Sequence, residues 1–344
     1  MATYYDIFGQ KVQYLSSDPS DVQIGQVWYN STSNTAKVQG LGTASWATGG
    51  TMPVARSGSM TAGTQTAAIT ATGGGDPGTS PRLPTEAFSY DGSTWSPSPS
   101  YNQGRTGGVV FGIQSAATIC GGYAAEAVPP GDTDEDLTED WNDVSWTSGN
   151  NCNTGRRGFK GGGGTQTTGL MCGAEGPVPT KGILTEEYDG SSWTTSNNQN
   201  TARYSGVFGG SQTAAILAGG QNDTPAQILA TEEYDGTSWA SVNNMATQKY
   251  QGSGFGTQTD MVAAAGRTAP PTSITTNSQI YDGNSWAASA TSSNPFTQRS
   301  GNQGGGTTPS SAGFITGGDS GPSYSGATEE YTGAGPVTQT ITTS

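Results

Sequence analysis

Six basic residues recur at one position of this chain: Arg56, Arg105, Arg156, Arg203, Lys249 and Arg299. They account for six of its thirteen lysines and arginines. Brought into a circle, they could form a collar for acidic sugars or other carboxylates, because guanidinium groups match carboxylate oxygens. The chain offers a competing partner. The pairs Glu186/Glu187, Glu232/Glu233 and Glu329/Glu330 return with the same beat. An arginine that meets such a pair clamps strands together instead of binding a ligand. The structural clamp is the expectation.

Other chemistry is thin. In GDTDED (131–136) the alternating carboxylates Asp132, Asp134 and Asp136 are a weak calcium candidate, because calcium sites use spaced carboxylates. The loop lacks the glycine and distant glutamate of an EF-hand, so a solvated acidic loop is expected. Three cysteines, Cys120, Cys152 and Cys172, form neither a disulfide framework nor a zinc motif. Cys120 and Cys172 align with Ala218 and read as small buried hydrophobes. Histidine is absent, which removes Ser-His and Cys-His nucleophile pairs and the commonest transition-metal ligand. No catalytic residue and no cofactor are expected. The net charge of −14 argues against a nucleic-acid partner. The N-terminal MATYYDIFGQKVQYL lacks a basic segment followed by a long apolar run. Neither a signal peptide nor membrane insertion is expected.

The elements that must position these residues form a repeat. The phrase YDGSTW (90–95) returns as YDGSSW (188–193), YDGTSW (234–239) and YDGNSW (281–286), with a degraded copy WNDVSW (141–146). The anchors Trp46, Trp95, Trp146, Trp193, Trp239 and Trp286 are spaced 49, 51, 47, 46 and 47 residues apart. Each unit reads Arg-Gly, turn, small-residue strand, Gly-Gly, variable loop, Glu-Glu-Tyr-Asp, turn, Trp. Short runs of β-branched and aromatic residues between Gly, Asn, Asp and Ser clusters are strands. Asp-Gly reads as a hairpin turn through positive φ. The double glycine is expected where inner strands crowd an axis. Four strands per 46–51 residues is the period of a propeller blade. The fold expected is an all-β, six-bladed β-propeller. Its sixth blade, 296–332, takes its outer strand from LGTASW (41–46). Seven blades result if 24–46 and the C-terminal tail build an extra one.

Double glycine, Tyr-Asp, Trp and then Arg-Gly on the next strand resemble the Kelch repeat over residues 37–335. Residues 1–36 lie outside the beat as an N-terminal docking segment, and 336–344 form a tail. The segment GQVWYNSTSNTAKVQG (25–40) reads as a β-hairpin and resembles a phrase near the start of tailed-phage structural proteins. Together these features resemble Kelch-like virion proteins of marine tailed bacteriophages, of the cyanophage type. The resemblance implies a structural virion protein on a tail fibre, appendage or capsid surface, with a role in host attachment. It implies other virion proteins as partners through the N-terminal segment, and a host surface glycan or receptor as a further partner. Its alternatives are a glycan-binding adhesin and, behind that, a glycan-degrading hydrolase. Binding is expected on the loops 73–84, 122–137, 173–184, 219–230, 266–277 and 317–327, which vary while the strands repeat.

Overall fold

The computed structural model describes residues 6–7, 10–71, 73–74, 83–124, 133–158, 161–175, 181–222, 226–268, 273–288, 299–301, 303–305, 312–321 and 323–341. The protein is all-β and propeller-like, built of four-stranded, largely antiparallel sheets. It divides into two compact units, Trp46–Tyr331 and the combination of Met1–Ser45 with Thr332–Ser344.

The larger unit repeats one sheet. The first sheet is Met60–Thr64, Ala67–Ala71, Ala87–Tyr90 and Trp95–Ser98. The second is Val109–Ile113, Ala116–Cys120, Thr138–Trp141 and Trp146–Ser148. The third is Gly161–Thr165, Thr168–Cys172, Thr185–Tyr188 and Trp193–Ser196. The fourth is Val207–Ser211, Ala214–Ala218, Thr231–Tyr234 and Trp239–Val242. The fifth is Ser253–Thr257, Asp260–Ala264, Ser278–Tyr281 and Trp286–Ala288. In the sixth, Gln303–Gly305, Ala312–Thr316 and Thr328–Thr332 are joined by Ser45–Thr48 from the other end of the chain. Each innermost strand neighbours the next, and that of the sixth sheet neighbours those of the fifth and the first.

The hairpin between third and outer strands shows how the repeated phrase works. It sets Tyr90, Tyr188, Tyr234 and Tyr281 directly opposite Trp95, Trp193, Trp239 and Trp286. Their rings lie 4.7 to 5.1 Å apart. In the turn, the side chain of Asp189 accepts the backbone N–H groups of Ser191 and Ser192 at 2.8 and 2.7 Å. These bonds hold its carboxyl well below the usual carboxylate range. Asp91, Asp235 and Asp282 do the same. Only the glycine takes positive φ, as at Gly190 (93°), so the aspartate serves by its side chain and not by its backbone. In WNDVSW, Asn142 supplies the side-chain acceptor and Asp143 stands at the glycine position with φ 73°.

The double glycine has a different cause from the one expected. Gly219 and Gly220 have φ of 62° and 93°, and a Cβ on Gly219 would lie 2.4 Å from the Lys249 carbonyl oxygen. Two successive left-handed residues end the second strand. Crowding among the innermost strands falls on other glycines. A Cβ on Gly163 would sit 2.5 Å from the Phe208 ring.

In the smaller unit, Val27–Asn30 and Thr35–Leu41 form the expected hairpin. Gln13–Leu15 pairs parallel to Val27–Asn30, and Pro336–Ile341 pairs antiparallel to Thr35–Leu41. The expected hairpin and the expected tail therefore share one sheet. Asp18 accepts from Trp28 Nε1 (2.9 Å), Asn30 Nδ2 (2.8 Å) and Lys37 Nζ (2.6 Å). These bonds, Lys37's first, hold its carboxyl at about 2. Among the described residues the only helix is the 3-10 turn Lys181–Ile183. No described helix is long and apolar enough to cross a membrane, which says nothing of a β-barrel.

Candidate functional site

The six basic residues are buried. Each stands just ahead of an innermost strand; four meet a carboxylate on the third strand of the same sheet, and Arg56 meets Glu86 just before that strand. Arg105, Arg156 and Arg203 lie 2.5 Å from Glu139, Glu186 and Glu232. Arg299 pairs with Glu329, and Arg56 lies 2.8 Å from the half-exposed Glu86. Glu139, Glu186 and Glu232 also accept backbone N–H groups from the loop before the arginine, as from Asn153 (2.7 Å) and Asn200 (2.7 Å). Burial lowers the pKa of the Arg203 and Arg299 guanidinium groups, and the paired carboxylates oppose that shift.

Lys249 is the exception. Its Nζ donates to the carbonyls of Ala265 (2.5 Å) and Asn277 (2.7 Å), and the position of the facing glutamate holds Gln279. Gln279 still makes the loop contacts, accepting from Thr247 N and donating to Thr247 O. Burial pushes the Lys249 ammonium down to about 7.

The second glutamate of each pair has another partner. Glu187 accepts from the Tyr234 hydroxyl, Glu233 from Tyr281 (2.8 Å) and Glu330 from Tyr90 (2.5 Å). Each tyrosine lies on the following sheet, and Glu330 and Tyr90 join the sixth sheet to the first. Burial and the facing carboxylate push the hydroxyls of Tyr90 and Tyr234 up to about 12. The six anchor tryptophans are buried as well. The indole N–H groups of Trp95, Trp193, Trp239 and Trp286 donate to Thr328, Thr138, Thr185 and Thr231 on the preceding sheet, at 2.9 to 3.0 Å.

The turn after the innermost strand carries a glutamine, as in GTQT (164–167), whose role the repeat alone does not show. Gln114, Gln166, Gln212 and Gln258 each donate to two backbone carbonyls of the preceding sheet, at 2.7 to 3.2 Å. The signal is one letter that recurs at the same offset in five of the six units, at Gln65, Gln114, Gln166, Gln212 and Gln258.

A second feature was missed: a backbone circle two residues beyond the basic positions. Gly58 N donates to Gly301 O (2.7 Å), Gly301 N to Gln251 O (2.9 Å) and Gln251 N to Ser205 O (2.8 Å). Ser205 N donates to Gly158 O (2.9 Å) and Gly158 N to Gly107 O (3.0 Å). Thr106 Oγ1 reaches Gly58 O at 3.4 Å. All six members have positive φ, from 53° to 73°. The visible signal was the spacing basic-x-Gly, kept in four units and replaced by Ser205 and Gln251 in the other two.

This circle floors a cavity of about 370 Å³. Its walls come from the loops expected to carry binding: Leu83, Tyr123, Glu175 and Tyr324, with Arg157 beside the circle. Arg157 lies 4.9 Å over the Tyr123 ring, 3.5 Å from Asp134 and 3.9 Å from Glu175. Parts of these loops, at 75–82, 125–132, 176–180, 223–225, 269–272 and 322, lie outside the described residues. The opposite ends of the innermost strands border a second cavity of about 330 Å³, with Ile113 and Ala214 in its wall.

Of the calcium candidates, Asp132 lies outside the described residues. Asp134 faces Arg157, and Asp136 accepts from Asn151 Nδ2 at 2.8 Å. Among the described residues no three His, Cys, Asp or Glu are grouped to hold a metal ion. Cys120, Cys152 and Cys172 are buried free thiols. Burial pushes the Cys172 thiol up to about 12.

No protein-family model and no curated protein matches the chain. Among solved structures, one described as the structure of YjhT is similar, with a TM-score of 0.62 at 13% identity. The match covers 81% of this chain and 95% of that one. At that identity the likeness concerns the fold alone.

Proposed function

We propose that the larger unit is a six-bladed Kelch-like ring closed by the strand Ser45–Thr48, and that the chain is a structural component of a tailed-phage particle. It sits on a tail fibre, appendage or capsid surface and presents a rigid ring there. Residues 1–36 carry its attachment to neighbouring virion proteins. The chain acts by display and contact, without a reaction.

One observation carries this reading. The residues that repeat, and that could do chemistry, are buried in contacts within and between sheets, while the side chains around the 370 Å³ cavity do not repeat. Equivalent backbone with unlike side chains is the arrangement of a scaffold that presents a surface. The circle of positive-φ residues, and the links of Tyr90 to Glu330 and Trp95 to Thr328, support six blades over seven. The same cavity favours a second role in host attachment, which is compatible with the first.

The test is protein mass spectrometry of gradient-purified particles of the phage that encodes the chain. The proposal expects the chain in the particles at a constant ratio to the major capsid protein. A chain abundant in infected cells and missing from purified particles contradicts it.

A further inference from the structure

We propose that the cavity over the backbone circle is a binding site for one uncharged sugar residue, with the Gln251 carboxamide as its polar anchor. This deepens the attachment role and rests on that reading only for the source of the sugar, a host-surface glycan.

Strain is the first observation. At the circle position four units carry glycine, which takes positive φ freely. Ser205 (53°) and Gln251 (55°) hold the same conformation with side chains. Such residues cost on the order of 1 kcal/mol. The fold tolerates glycine in the other units, so packing does not demand these two side chains. Ser205 Oγ reaches Gly158 O at 3.4 Å, whereas the Gln251 carboxamide has no hydrogen-bond partner among the described residues. Gln251 lines the cavity, and its carboxamide supplies one acceptor and two N–H donors.

Size and lining come next. A volume of about 370 Å³ lies at the small end of ligand sites, about 300–1,000 Å³, and suits a single ring or two. Tyr123 and Tyr324 bring aromatic surface, against which the C–H face of a sugar packs. Ser205, Gln251 and Thr106 bring hydroxyl and amide groups for its hydroxyls.

Charge sets the class. Arg157, the cation in the cavity wall, stands between Asp134 and Glu175. It is already matched by carboxylates, in a chain of net charge −14. An anionic sugar would find no surplus positive charge there. An uncharged sugar meets no such penalty.

The test titrates the full chain with glucose, galactose, mannose, N-acetylglucosamine, glucuronate and glucosamine, followed by NMR or calorimetry. Wild type and Gln251→Gly are compared, each with its melting temperature. The proposal expects millimolar or tighter binding of at least one uncharged sugar. In Gln251→Gly that binding weakens at least about tenfold while melting stays equal or rises. No uncharged sugar bound, preference for glucuronate or glucosamine, or unchanged binding in Gln251→Gly overturns it. Particle incorporation is measured separately, so failure here leaves the virion reading standing.

Discussion

The indole of Trp46 lies 5.2 Å from the ring of Tyr331, at 60°. The separation is close to that of Tyr188 from Trp193 and Tyr234 from Trp239, whose rings are inclined at only 32° and 34°, but here the members come from opposite ends of the chain. Trp46 also meets Phe255 of the fifth sheet at 6.1 Å. If this contact closes the ring, Trp46→Ala removes an anchor as costly as any internal one, about 3–5 kcal/mol. Urea unfolding should show a loss matching that of Trp193→Ala. A loss below about 1 kcal/mol would mean that the strand Ser45–Thr48 adds little to the sheet.

Asp143 occupies a position where the intact copies have glycine, at φ 73°. Asp143→Gly should therefore stabilise the protein, by about 0.5–1 kcal/mol, since relief of backbone strain outweighs added chain entropy. Thermal unfolding measures it, and destabilisation would contradict the assignment of the turn.

The Arg–Glu clamp predicts a pattern among variants. Arg203→Ala strands the buried Glu232 carboxylate and should cost about 3–5 kcal/mol. Arg203→Lys combined with Glu232→Gln copies the residues that the fifth sheet has at Lys249 and Gln279, where the ammonium donates to backbone carbonyls and the carboxamide bonds the loop. That double variant should be markedly more stable than Arg203→Ala. Equal losses would show that the Lys249–Gln279 arrangement does not transfer between sheets.

Lys249 gives the pH dependence a sign. Its folded pKa, about 7, lies below the ordinary 10.5 because burial disfavours the ammonium. Between those values the unfolded chain binds more protons, so stability rises with pH across the window. Urea midpoints should climb from pH 7 towards pH 10 in wild type, and Lys249→Met should flatten the climb. An equal slope in both proteins would assign the effect to other groups.

Burial of all three cysteines predicts slow chemistry. Thiol reagents should label the native chain only as fast as it opens, and label all three once it is denatured. Rapid labelling of any one in the native state would contradict its burial.

Much of the architecture was legible because a blade must repeat its structural residues. Tyr, Trp, Arg and the acidic pairs occur at matching offsets, which mark the strands and point to an Arg–Glu contact within each sheet. The division of labour within Glu186/Glu187 was not legible, since adjacent residues of a strand face opposite sides and the letters do not say which neighbour each meets. The backbone circle and the cavity above it arise from single residues that converge from six units, among them Gly58, Ser205 and Gln251. Convergence of that kind leaves no periodic trace beyond the basic-x-Gly spacing. The walls of the cavity, such as Tyr123 and Tyr324, do not repeat at all.

Ring closure is tested most directly by native-state hydrogen exchange on the whole chain, followed peptide by peptide. The account predicts that amides of the strand Ser45–Thr48 and of Gly49, whose N–H bonds Thr328 O at 2.9 Å, exchange as slowly as those of residues 328–331 and open together with them. Free exchange across 45–49 alongside protected 328–331 would contradict a ring closed by the two ends of the chain.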